Sequence, residues 1–254
     1  MKGKTALVLG GSGGIGLEVA NSMLNAGFRV CAAYHNNRGK LGELQAELQA
    51  SNKKQLSTKQ LSAYQFNLPD ANSVKLAFSK MLKEHPRIDV VVYSVTFPIK
   101  NKHILNADWA DFNEHLELQT KGLFNVVQIL KEQIRSGYKT KFIIISTEYC
   151  IGKPPAGLSH YISARYSLLG LAKSMAVELA KYNCTVNIIS PGMTETGLIS
   201  ALPPKLVEMT AENNPLKRIA TPKDVANVVL FLSSEKSDYL NGVNITVNGG
   251  GVML

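Results

Sequence analysis

The run Thr5-Ala6-Leu7-Val8-Leu9 passes directly into Gly10-Gly11-Ser12-Gly13-Gly14 and Gly16, and then into the helix-like stretch Leu17 to Leu24. Nothing else in the chain constrains its fold as tightly. A short apolar run without polar alternation is a strand covered on both faces, the kind a parallel sheet uses. Glycines at the following turn let the main chain approach a pyrophosphate, and the free N–H groups of the helix start then bind it. The competing reading is a purely structural turn. The order of strand, loop and helix favours a dinucleotide-binding unit.

The second apolar run, Arg29 to Ala33, ends in Tyr34-His35-Asn36-Asn37-Arg38. An NAD site of this type places a carboxylate here for the adenosine ribose, whereas a basic residue accommodates a 2′-phosphate. No Asp or Glu occurs in this part of the chain before Glu43. This end therefore points to NADP, with His35 and Arg38 as phosphate contacts. A solvated loop is the alternative.

Strand and helix patterns alternate to the C-terminus. Helical stretches are expected at Leu41 to Ala50, Ala71 to Leu82 and, as one long helix, Asp108 to Arg135. Strands are expected near Ala63 to Phe66, Ile88 to Val95, Phe142 to Ile145, Thr185 to Ile189 and Asn244 to Val247. Seven strands make an α/β, doubly wound parallel sheet, a Rossmann fold. The Lys-rich connection Ser51 to Gln60 reads as a surface loop, and no repeat or linker interrupts the chain, so residues 1–254 are expected to form a single domain.

The sequence contains no apolar run long enough to span a bilayer and no signal peptide, so a cytoplasmic protein with no membrane association is expected. Cys31, Cys150 and Cys184 are widely spaced and read as buried, reduced thiols, and no metal site is implied. A net charge of +9 favours acidic ligands, but aromatics at 7% without basic interleaving argue against nucleic acid.

Tyr161 and Arg165 fall four apart on a helical stretch, which stacks them on one face. A phenol beside a fixed cation is a candidate general acid, since a positive charge favours the phenolate. Here too a plain helix residue and a surface charge are the competing reading.

Taken together, the chain resembles the short-chain dehydrogenase/reductase family over essentially its whole length, and within it the bacterial 3-oxoacyl-acyl-carrier-protein reductases. Family glycines match Gly10, Gly14 and Gly16, and the family Tyr-x-x-x-Lys falls on Tyr161 and Arg165. Thr185-Val186-Asn187, Pro191 to Thr196, Pro215 to Arg218, Pro222 to Ala226 and Asn241 to Gly250 match in the same order. The resemblance implies a nicotinamide cofactor, NADPH, held by Gly10, Ser12, Gly13, Gly14, Ile15, Gly16, Tyr34, His35, Arg38, Asn67, Leu68, Ser94, Tyr161, Arg165, Pro191, Gly192 and Thr194. It also implies a homotetramer, an acyl-thioester or other small ketone substrate, and an acyl carrier protein as partner.

The same resemblance exposes departures. In the family a Ser bonds the substrate carbonyl, a Tyr protonates it, a Lys supports the Tyr and holds the ribose, and an Asn completes a water relay. Here the Asn falls on Gln119, the Lys on Arg165, and the Ser on Glu148, with Thr147 the nearest hydroxyl. Asn-Asn-Ala-Gly after the fourth strand is Tyr93-Ser94-Val95-Thr96, Leu9 stands for a Thr, and Asn67 for an Asp. The Ser-to-Glu and Lys-to-Arg changes suggest a compensating Glu148–Arg165 ion pair. Tyr166 and Lys173 have the spacing of enoyl reductases, but counting back from Thr185 places the catalytic Lys position at Arg165.

Three functions are compatible with these residues. The first is an NADP-dependent ketoreductase, slowed or specialised, with Thr147 or a protonated Glu148 as donor. The second is an inactive subunit partnering an active relative, and the third a lyase or isomerase using Glu148 as base. His103, His115 and His160 are expected to be surface or hydrogen-bonded residues. Lys131, Arg135, Lys139 and Lys141 form either an acidic-carrier dock or a solvated face. Residues 193–214 are expected to be a helical flap whose Leu198, Ile199, Leu202, Leu206, Val207 and Met209 line a greasy substrate or pack on the core.

Overall fold

Strands β1 (Thr5–Leu9), β2 (Arg29–Tyr34), β3 (Leu61–Gln65), β4 (Val90–Tyr93), β5 (Thr140–Ile145), β6 (Cys184–Pro191) and β7 (Asn244–Val247) form one sheet in the order β3-β2-β1-β4-β5-β6-β7. Every pairing is parallel. The structure is a computed structural model and describes residues 3–50, 60–200 and 202–253. Of the expected Lys-rich loop only Gln60 falls among them.

β1, β4 and β5 are buried at every position because helices cover both faces. On one face α1 (Gly14–Asn25) packs on α8 (Pro222–Ser233), enclosing Val8, Met23, Phe28 and Val229. α2 (Lys40–Ala50) lies next to α1. On the other face α3 (Ala71–Glu84), α5 (Gly122–Arg135) and α6 (Ser159–Leu179) enclose Phe78, Leu123, Phe142 and Leu168. The seven-stranded Rossmann architecture is thus present. Strand order reverses between β1 and β4, and at such a switch the strand ends leave a crevice for ligands.

The expected helix from Asp108 to Arg135 is divided. α4 (Trp109–Leu116) runs into a π turn, Glu117–Lys121, before α5. In that turn the Gly122 N–H reaches the Glu117 carbonyl, and the Leu118 carbonyl instead accepts the Tyr93 hydroxyl. A Cβ on Gly122 would lie 2.5 Å from that hydroxyl, so Tyr93 needs a glycine there. A wide turn of this kind typically marks a functional site. It carries Gln119.

The three cysteines are free and buried. Among the described residues no helix is long and apolar enough to cross a membrane, and no cluster of three His, Cys, Asp or Glu residues could hold a metal ion.

Candidate active site

The glycine loop closes on the switch between β1 and β4. Gly10 has φ +84°, and a Cβ on it would lie 2.3 Å from the Ser94 carbonyl oxygen. A Cβ on Gly16 would come within 2.1 Å of the Gly10 carbonyl, so α1 starts pressed against the loop. Gly13 precedes α1 in an extended conformation, no side chain caps the helix, and its first turn holds no acid. Ser12, Gly13, Gly14 and Ile15 remain accessible, so the uncapped N–H groups there suit an anionic pyrophosphate.

Beside this loop lies a basic edge. Tyr34 is half-buried, and His35 to Lys40 are exposed with no carboxylate among them. Gly39 brings this segment against Ser12, whose carbonyl would lie 3.2 Å from a Cβ at Gly39. The Arg38 guanidinium rests on the Gln45 amide oxygen. Asn67 leaves its side chain exposed at the end of β3, while Leu68 is buried and its carbonyl accepts from Asn125 at 2.8 Å. The adenosine and pyrophosphate end of a phosphorylated dinucleotide therefore fits the residues present.

The reaction end is built differently. Tyr161 and Arg165 lie on α6, both buried, with the guanidinium carbon 5.0 Å from the phenol ring centroid. The expected Glu148–Arg165 ion pair is absent. Instead Arg165 Nη1 donates to the Ile145 carbonyl at 2.8 Å and to Gln119 Oε1 at 3.2 Å, and Nη2 reaches the Val95 carbonyl at 3.3 Å. Gln119 Nε2 donates to the same Val95 carbonyl at 3.0 Å. Gln119 and Arg165 together tie the ends of β4 and β5 to the π turn. Of the three guanidinium nitrogens Nε alone has no partner, and the head of the side chain faces inward. The ribose contact expected of Arg165 competes with these interior acceptors.

Glu148 opens a short 3-10 turn, Glu148–Cys150, after β5. Its carboxylate accepts from Asn248 Nδ2 at 3.0 Å and is bonded by the Met193 N–H, and a Cβ on Gly192 would lie 3.2 Å from it. Asn248 also donates to the Val252 carbonyl at 2.8 Å, and the Val252 methyls would contact a Cβ on Gly152 at 2.9 Å. The turn is therefore clasped to the C-terminal tail. Burial raises the Glu148 carboxyl above its ordinary value, and the Asn248 and Met193 donors oppose that shift. Thr147 is buried, and its Oγ1 accepts from the Tyr149 N–H at 3.4 Å. Counting back from Tyr161 stops at Glu148 and misses Tyr149, one step further along the turn and half-buried. Pro191 and Thr194 are buried, and Thr194 Oγ1 donates to the Gly192 carbonyl at 2.9 Å. Ser94 is half-buried where β4 ends.

Behind Tyr161 lies a second departure from expectation. His103 is exposed and caps its own turn, but His115 and His160 are buried, ring centroids 5.1 Å apart, each with an unpartnered Nδ1. The His115 ring meets the Tyr161 ring edge-on at 6.0 Å. Burial first, then the neighbouring His160 and Arg165 charges, pushes His115 down to about 4, and burial lowers His160 as well. Helical spacing shows neither the pairing nor the burial, because the two rings come from α4 and α6.

The basic set also divides. Lys141 is buried on Ser234, Ser237 and Asp238, while Lys131, Arg135 and Lys139 stay exposed, Arg135 paired with Glu132 and Lys139 with Asp238. α7 (Pro204–Asn213) buries none of its residues, and Leu198, Leu206 and Met209 are exposed rather than packed on the core. Tyr166 and Lys173 point outward from α6, which agrees with setting aside the enoyl-reductase spacing.

A parallel sheet with an open glycine loop at its switch and a buried Tyr-x-x-x-Arg helix beyond it defines a Rossmann-fold oxidoreductase. The chain belongs to the short-chain dehydrogenase/reductase family. A family model described as enoyl-(acyl carrier protein) reductase matches residues 10–251. Relatives include the 3-oxoacyl-[acyl-carrier-protein] reductase FabG of Aquifex aeolicus, 32% identical over 98% of both chains. The FabG of Staphylococcus aureus strain Mu50 is 30% identical over 97% of both. Among solved structures, a putative gluconate dehydrogenase from Agrobacterium tumefaciens superposes with a TM-score of 0.88 at 26% identity, covering 100% of this chain and 98% of that one. A short-chain type dehydrogenase/reductase from Mycobacterium marinum gives 0.88 at 25%, covering 100% and 97%.

Proposed function

We propose that this chain reduces a carbonyl to an alcohol with NADPH, on a 3-oxoacyl thioester or a comparable ketone. The observation that carries the reading is the buried Tyr161 phenol beside the Arg165 cation, at the strand ends next to an uncapped, glycine-rich helix start. NADPH, when bound, supplies the hydride. Tyr161 gives its proton to the carbonyl oxygen, and the Arg165 cation offsets the negative charge left on the phenol. His35 and Arg38 select the 2′-phosphate, and the uncapped N–H groups of α1 hold the pyrophosphate. In this reading residues 1–254 act as one cytoplasmic domain and residues 193–214 cover the substrate. The names of the FabG relatives make an acyl carrier protein the natural bearer of the thioester. A homotetramer is the proposed assembly.

One observation favours a second reading. The Arg165 guanidinium is turned onto interior acceptors, as suits an inactive subunit assembled with an active relative. The lyase or isomerase reading loses support because Glu148 is engaged by Asn248 and Met193. Titration with NADPH and NADH, followed by fluorescence and thermal shift, separates the first two. NADPH-selective stabilisation, followed by NADPH oxidation on an acetoacetyl thioester, is expected for the reductase, since a ligand of the folded state raises stability by mass action. No binding of either nucleotide at millimolar concentration would end that reading.

A further inference from the structure

A carbonyl that gains a hydride gathers negative charge on its oxygen, and a donor aimed at that oxygen lowers the barrier. The residues that open the loop after β5 are poorly placed to provide one. Ser146 Oγ is buried against the Cys150 sulfur at 4.0 Å. Thr147 is buried with its hydroxyl folded back on its own turn. Glu148 is bound to Asn248 and the Met193 N–H, and an ionised carboxylate only accepts.

Tyr149 differs from all three. It sits in the 3-10 turn that packs on α6, half-buried, and its phenol makes no hydrogen bond among the described residues. It also lies within electrostatic range of the Tyr161 phenol. We infer that Tyr149 is a catalytic residue that donates a hydrogen bond to the substrate carbonyl oxygen while Tyr161 protonates it. Burial, then the nearby Glu148 and Tyr161, push the Tyr149 phenol up, which keeps its proton in place for donation. The inference rests on the carbonyl-reduction reading. In the reaction the C=O π bond breaks, hydride from NADPH forms the C–H bond, the Tyr161 proton forms the O–H bond, and Tyr149 ends with the proton it began with. A phenol reaches further from its backbone than a serine hydroxyl does. The oxygen it meets therefore sits further from the β5 backbone, which suits a bulkier group beside the ketone.

The test uses the full chain with NADPH and an acetoacetyl thioester. Tyr149→Phe is expected to lower kcat/KM about 100-fold, the size of losing one such donor, with NADPH affinity and Tm unchanged. Tyr166→Phe, on the outer face of α6, keeps wild-type rates. A second readout is independent of turnover. Near-ultraviolet titration of the phenols should show Tyr149 ionising at lower pH in Tyr161→Phe, because a like charge has been removed. An active wild type whose Tyr149→Phe variant keeps its rate overturns the role of Tyr149 and leaves carbonyl reduction standing. So does a large loss in Thr147→Val with none in Tyr149→Phe, or a Tyr149 titration that ignores Tyr161→Phe. An inactive wild type overturns both.

Discussion

The two halves of the crevice obey different rules. At the glycine loop after β1, recognition is by main chain: Gly10 and Gly16 have no room for a Cβ, and no side chain caps the start of α1. On the side of β4 to β6 the surface is built from side chains, and Gln119, Glu148 and Arg165 each have a partner inside the protein. Main-chain recognition survives drift in side-chain identity because any residue that permits the backbone shape will serve. Side-chain chemistry does not. When it changes, the fold can stay intact while the reacting groups acquire new partners.

The largest expected effect breaks the first half. Gly16→Ala sets a methyl 2.1 Å from the Gly10 carbonyl, and backbone must move. A loss of about 3 kcal/mol or more in urea unfolding, with nucleotide binding abolished, is expected.

Next comes the second half. Arg165→Met strands the Ile145 carbonyl and Gln119 Oε1 in the interior, and should cost about 2–3 kcal/mol. If the two substitutions act as a pair, Arg165→Lys with Gln119→Asn will be less harmful together than their single effects summed, by about 1 kcal/mol in a double-mutant cycle. Strict additivity would show that Gln119 and Arg165 are not coupled.

An effect confined to the acid range follows from His115. Its folded-state value is about 4 against an ordinary 6.5, so between those pH values the unfolded chain takes up the proton first. The stability associated with a neutral His115 is therefore complete above 6.5 and is lost as pH falls toward 4. It amounts to about 3 kcal/mol. His115→Phe should flatten that acid limb in Tm measured against pH. The smallest effect sharpens the first half again: Arg38→Ala should reduce the preference for NADPH over NADH about tenfold, about 1.4 kcal/mol, in paired Kd measurements.

These contrasts also explain how much the sequence disclosed. The strands were legible because a strand covered on both faces must be apolar throughout, as Phe142 to Ile145 is. Tyr161 and Arg165 were legible as neighbours because a helix brings residues four apart together. The partners of Arg165 were not. Two are main-chain carbonyls, which no residue type announces, and Gln119 is 46 positions away in a turn that helical periodicity reads as ordinary helix. Glu148 and Asn248 are 100 positions apart, and charge alone suggested the wrong partner. Tyr149 escaped because a spacing rule borrowed from relatives fixed attention on its neighbour.

The clasp from Glu148 through Asn248 to Val252 has a consequence in time. A ribosome delivers β1 and its glycine loop first, and early segments begin to fold while the rest of the chain is still being made. The turn that carries Tyr149 waits for more than a hundred further residues before its last anchor exists. In each new molecule the nucleotide cradle can take shape early, and the reacting end is finished only once the segment around Val252 has been made and can dock.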